Sequence, residues 1–167
     1  MNRDELRALQ APLKQRYRDD PHAARLTLKA EGNLGSGLSC SVETARALVE
    51  AGLHPATGGT GALACSGDML LQALVACAGV TLQAVAIGLG IELRGAHLAA
   101  EGDLDFRGTL GVAKDVPVGF KEIRLAIKLD TDAGAEERRK LLELTERYCV
   151  VFQTLSRSPE LRVAYED

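Results

Sequence analysis

Four cysteines are the residues of this chain with the clearest capacity for chemistry: Cys40, Cys65, Cys77 and Cys149. No two of them have C-x-x-C spacing, and none of the three histidines, His22, His54 and His97, lies beside a cysteine. A zinc site is therefore not expected. The N-terminus is charged and polar from Asn2 to Arg7, so no signal peptide is read there. The expectation is a cytoplasmic protein with reduced thiols or a redox site, not structural disulfides.

Each thiol must be weighed by its surroundings. Cys40 falls on the apolar parity of an alternating run, which fits a buried core position. Cys65 precedes a long apolar segment, as a small residue at a turn. Cys77 lies inside that segment, on a helical face with Leu70, Ala73, Leu74, Thr81 and Ala84. Cys149 shares a later helical face with Leu142, Thr145 and Phe152. By spacing alone both are also core thiols. They stand 72 residues apart, and only a fold can bring them to disulfide distance.

Other candidates carry less. His54, in Leu53-His54-Pro55, is a loop histidine with no identifiable partner. Asp103 and Asp105 fit the solvent face of a strand better than an acid/base pair. Glu136 to Lys140 is the N-terminal face of a helix, with its acids placed where the helix dipole favours them.

The elements that position these residues follow from periodicity. Leu6, Leu9, Leu13 and Tyr17 form a helical stripe, with Asn2 and Glu5 as a capping box and Asp20-Pro21 as its stop. Two alternating runs, around Leu26–Ala30 and Leu38–Val42, predict a hairpin joined by Gly32 to Gly37. Residues 44–50 fit either an extension of the second strand or a coil. A loop follows from Gly52 to Gly61. The next helix runs from about Gly67 to Leu89, with Gly90 ending it. Leu98 to Phe106 and Ile123 to Leu129 predict strands. Glu136 to Leu155 predicts one helix, with Leu141, Leu144, Tyr148, Phe152 and Leu155 on one face, and Leu161, Val163 and Tyr165 a closing strand.

This order is not a regular βαβ alternation, so the fold class is α+β. At 167 residues, one domain at residues 21–167 is expected, preceded by a helical extension at 1–20. A net charge of −3 and only six aromatic residues, three Phe and three Tyr, argue against nucleic acid as a partner. The 23 residues from Met69 to Ile91 carry no charge and are long enough to span a bilayer. Their Ala and Gly content, the polar Gln72, Thr81 and Gln83, and the acidic flanks Asp68 and Glu92 favour a buried helix instead. Covering it on every side takes a second subunit, so no membrane span and a homodimer are expected.

Gly58-Gly59-Thr60-Gly61, followed by Leu70-Leu71-Gln72-Ala73-Leu74-Val75-Ala76-Cys77, resembles the OsmC/Ohr family (osmotically inducible protein C, organic hydroperoxide resistance). Glu146-Arg147-Tyr148-Cys149 matches the late second cysteine, and the resemblance covers about residues 24–166. It implies two long central helices with wrapped antiparallel sheets in an intertwined homodimer. It also implies thiol-dependent reduction of organic hydroperoxides, with no cofactor and no metal. Cys77 would then be the peroxidatic thiol and Cys149 the resolving one, and an external dithiol of the lipoyl type would regenerate them.

Three features depart from the family. The helix starts Ser66-Gly67-Asp68-Met69 where Pro and Glu are usual, so Asp68 is the nearest acidic match. The hairpin loop lacks the family's arginine. Val150 and Val151 follow the second cysteine where proline is common. A thiol in an apolar helix is expected to resist ionisation, so Cys77 calls for a nearby cation. Arg16, Arg18, Arg25 and Arg147 are candidates, and Arg18 in the N-terminal extension is the substitute expected here. The alternative function is a non-catalytic or small-ligand-binding homologue that keeps the fold.

Overall fold

The computed structural model describes residues 2–19, 31–34, 39–43, 48–111 and 113–165. The first predicted strand, around Leu26–Ala30, lies outside the described residues. Helix α1 (Arg3–Asp19) starts with the expected capping box: the Asn2 amide donates to Glu5 Oε2 and the Glu5 amide to Asn2 Oδ1, both at 2.9 Å. It continues through Pro12.

Two compact units are present, residues 1–72 with 100–125, and residues 73–99 with 126–167. The first holds a four-stranded sheet in the order β1 (Glu31–Leu34), β2 (Ser39–Glu43), β3 (Leu48–Gly52), β4 (Ala64–Cys65). β1–β2 and β2–β3 are antiparallel, and β3–β4 is parallel. The hairpin is tighter than its glycines suggested. β1 runs on through Gly32, and Leu34 pairs with Cys40. Residues 48–52, ambiguous by pattern, form the third strand. The Gly-rich loop packs on itself: a Cβ at Gly59 would fall 1.6 Å from the Leu53 carbonyl oxygen, so no other residue fits.

Helix α2 (Ser66–Leu89) matches its predicted bounds within a residue. Gly90, at φ +75°, closes it as expected. The Ile91 amide donates to the Ala86 carbonyl and the Gly90 amide to Ile87, the paired bonds of a Schellman end. By length and composition α2 is apolar enough to cross a membrane. One stripe of it, Leu74, Ala78, Leu82 and Ala86, is buried within the protein at i, i+4 spacing.

β5 (Gly95–Asp103) and β6 (Glu122–Asp130) form a two-stranded sheet. The Arg94 amide bonds Asp130 and the Lys121 amide bonds Asp103, the start-to-end pattern of antiparallel strands. β6 alternates between exposed and half-buried along its whole length, as read from the sequence. β5 stops earlier than its parity predicted. Asp105 accepts from the Arg107 amide and caps a short helix, α3 (Phe106–Thr109), so Phe106 leaves the strand.

The second unit builds its core from Leu82, Ala86 and Leu141, with Val85, Leu98, Ile127, Leu129 and Leu142 packed around them. The single helix expected at 136–155 is instead two, α4 (Ala135–Tyr148) and α5 (Val150–Ser156). The buried row is Leu141, Thr145 and Cys149, whereas Tyr148 and Leu155 face outward. The closing strand is absent as well. Leu161, Val163 and Tyr165 are 82, 85 and 96 % exposed, and among the described residues no strand pairs with them. A strand needs a hydrogen-bonded partner, and alternation alone does not supply one.

Candidate thiol site

Within the second unit α2 carries Cys77, half-buried beside its buried stripe. The other sulfur comes from the break between α4 and α5. Cys149 has φ −73° and ψ 108°, an extended conformation between two helices. Its amide donates to the Thr145 carbonyl at 2.9 Å and closes α4. Its carbonyl accepts from the Gln153 amide at 2.9 Å and opens α5. Its Sγ accepts from the Phe152 amide at 3.5 Å. Gln153 Nε2 donates back to the Glu146 carbonyl at 2.8 Å, which ties the two helices across the break. Cys149 is 1 % exposed.

This geometry brings the two thiols close enough for each to shift the ionisation of the other. Burial opposes ionisation of Cys77, yet the net shift is downward. The Val151 and Val150 amides, the Cys149 thiol and the Thr81 hydroxyl all donate to its sulfur and favour the thiolate. Cys149 moves upward, first because burial penalises its charged form and then because Cys77 takes the shared hydrogen bond and the negative charge. The pair therefore divides labour: Cys77 ionises more readily than Cys149.

The expectation that an apolar helix would keep Cys77 protonated is thus corrected. The donors come from the first turn of α5, whose amides have no carbonyl partners inside the helix. Sequence reasoning missed these amides, because backbone donors have no residue type. The weak signal for them was the β-branched pair Val150-Val151, which disfavours continuing the helix. Thr81 was legible, one turn beyond Cys77 on the same face.

The remaining candidates lie as follows. Arg147 stacks its guanidinium over the Tyr148 ring, 5.6 Å from the centroid. Arg16 and Arg18 belong to α1, but their side chains fall outside the described residues, as does Arg25 entirely. Asp68 lies in the first turn of α2 and lines a cavity of the first unit together with His54 and Cys65. Cys65, expected in a loop, is the last residue of β4. Cys65, Cys77 and Cys149 are free thiols, and the side chain of Cys40 is outside the described residues. Asp103 pairs with Arg124, and Asp105 with Arg107 and Lys121. These are structural ion pairs; Asp103 lies exposed at the end of its strand as expected, whereas Asp105 leaves the strand, caps α3 and is mostly covered. Among the described residues no cluster of His, Cys, Asp and Glu has the makings of a metal site.

The fold is similar to several solved structures. An OsmC-like protein from Mycoplasma pneumoniae superposes with a TM-score of 0.67 at 17 % identity, over 80 % of this chain and 89 % of that one. The organic hydroperoxide resistance protein OsmC from Legionella pneumophila gives 0.62 at 18 %, over 81 % and 92 %. An organic hydroperoxide resistance protein from Elizabethkingia anophelis gives 0.64 at 17 %, over 81 % and 91 %. No curated protein matches the sequence. The family model for OsmC-like proteins matches residues 59–164, a span that includes Gly59-Thr60-Gly61, both thiols and the helices that carry them. The chain belongs to the OsmC-like protein family.

Proposed function

We propose that this protein is a thiol peroxidase that reduces organic hydroperoxides through Cys77 and Cys149. What carries this is the placement of Cys77 and Cys149 close enough to shift each other's ionisation in opposite directions, Cys77 down and Cys149 up. A peroxidatic sulfur must be a thiolate to attack. The Cys77 thiolate attacks the terminal peroxide oxygen, the O–O bond breaks, and the alkoxide leaves and takes up a proton as the alcohol. Cys77 is then a sulfenic acid. The Cys149 sulfur attacks it, its proton leaves with the hydroxide as water, and a disulfide forms. An external dithiol returns two electrons and two protons by thiol–disulfide exchange. The similar structures named organic hydroperoxide resistance proteins support the substrate class. Asp68 and Arg18 enter the chemistry only through the family resemblance, and the steps above do not require them.

The reading includes a homodimer. Much of the apolar surface of α2 is uncovered in the single chain, with Val80 73 % exposed, and the C-terminal apolar residues are open as well. A second copy is the natural cover for both.

The test is a dihydrolipoamide-coupled assay with tert-butyl hydroperoxide. Wild type turns over and Cys77→Ser does not. Equal peroxide consumption by the two proteins would remove the peroxidase reading and leave a small-ligand-binding homologue.

A further inference from the structure

We propose that the first unit holds a second site, independent of the thiol pair, which binds a small arylalkyl ammonium compound. A cavity of about 350 Å3 opens there, walled by Phe106 and Phe120 and reached by His54, Cys65 and Asp68. That volume suits a ligand of roughly ten heavy atoms, at the lower end of the usual range for ligand pockets.

The walls are built and held. Phe120 lies against Gly102 so closely that a Cβ there would come within 2.5 Å of its ring, and a Cβ at Gly67 would sit 3.4 Å from it. Gly102 makes room for the aromatic wall, whereas a Cβ at Gly67 would only meet it in ordinary contact. Phe106 stacks on the His54 ring at 5.1 Å between centroids and 14° between planes. His54 is fixed in turn, because its Nδ1 accepts from the Ala56 amide at 3.1 Å. Asp105, only 16 % exposed, anchors the helix that bears Phe106 through Arg107 at 2.6 Å and Lys121 at 2.9 Å.

Against these fixed walls two polar groups are unspent. Among the described residues the Asp68 carboxylate and the Cys65 thiol have no hydrogen-bond or ion-pair partner. The nearby cations are committed: Arg107 and Lys121 to Asp105, and Arg124 to Asp103. No Lys or Arg lines the cavity. Aromatic faces with one free carboxylate complement a cation, and an anion finds no donor of opposite charge. The ring of an arylalkyl ammonium ligand would lie against Phe120 and its ammonium against Asp68.

The probes are phenethylammonium, 2-phenylethanol and 3-phenylpropionate, titrated calorimetrically into the full chain. The ammonium should bind about fivefold more tightly than the alcohol, the scale of one partly exposed ion pair, and the carboxylate more weakly than either. Asp68→Asn should erase the preference for the ammonium over the alcohol. Phe120→Leu, which keeps bulk and loses the ring, should weaken the ammonium in a folded protein. The ammonium should also slow alkylation of Cys65. An ammonium that binds no better than the alcohol, or a preference that survives Asp68→Asn, overturns the proposal. Neither result bears on the peroxidase reading, whose assay uses Cys77.

Discussion

Cys149, the single residue at which α4 ends and α5 begins, lies close enough to Cys77 for each thiol to shift the ionisation of the other. The break does two things at once. It buries the Cys149 sulfur in line with Leu141 and Thr145, and it exposes the leading amides of a new helix to Cys77. An unbroken helix would have spent those amides on its own carbonyls.

The first prediction concerns pH. Cys77 has a folded pKa below its unfolded value, so its ionised form stabilises the fold above the unfolded pKa, and that contribution is lost as pH falls through the folded value. Cys149 is raised, so its contribution holds below its unfolded pKa and is lost as pH rises through the folded one. Alkylation by iodoacetamide, followed by mass spectrometry of each cysteine peptide, should show Cys77 reacting at lower pH than Cys149. The reverse order would refute the assignment of roles.

Val150→Pro isolates the amide contribution. Position 150 is the first residue of α5, where proline is well tolerated, and the extended backbone of Cys149 suits a residue before proline. The substitution removes one donor to Cys77 and leaves the helix intact. The midpoint of the Cys77 alkylation profile should move up and the rate at neutral pH should fall severalfold, with the melting temperature held or slightly raised. An unchanged profile in a folded variant would show that the amide is irrelevant to the thiolate.

Oxidation gives a third check. One equivalent of hydroperoxide should yield a disulfide joining the peptides that hold Cys77 and Cys149, and no bond from Cys65. Cys149→Ser should complete one turnover and leave a sulfenic acid on Cys77 that dimedone traps. A bond mapped between Cys65 and either partner would contradict the pairing.

Core and surface positions of α2 should part company in stability. Leu82→Ala empties a site at the centre of the buried cluster and should cost about 2–5 kcal/mol in chemical denaturation. Val80→Ala, on the exposed face, should change the stability of the single chain by less than about 0.5 kcal/mol. If that face is the dimer contact, its effect appears in the association constant measured by sedimentation. A sedimentation mass equal to one chain at micromolar concentration would defeat the homodimer itself.

Local signals were legible wherever a short stretch of chain decided the outcome. The Asn2–Glu5 box started α1, Gly90 ended α2, and the alternation of Ile123 to Leu129 produced β6, because caps, left-handed ends and pleats depend on residues within a turn or two of one another. Cys77 and Cys149 stood out only through the family resemblance, because by spacing alone both read as core thiols. Their contact was not legible, because spacing carries no information across 72 residues. The donors to Cys77 were hidden for a different reason: they are amides, present at every residue, and only a helix break in the right place frees two of them. Periodicity also misplaced Phe106 and the C-terminal strand. Alternation records which side chains prefer burial, whereas a strand exists only where tertiary structure supplies a neighbour for its hydrogen bonds.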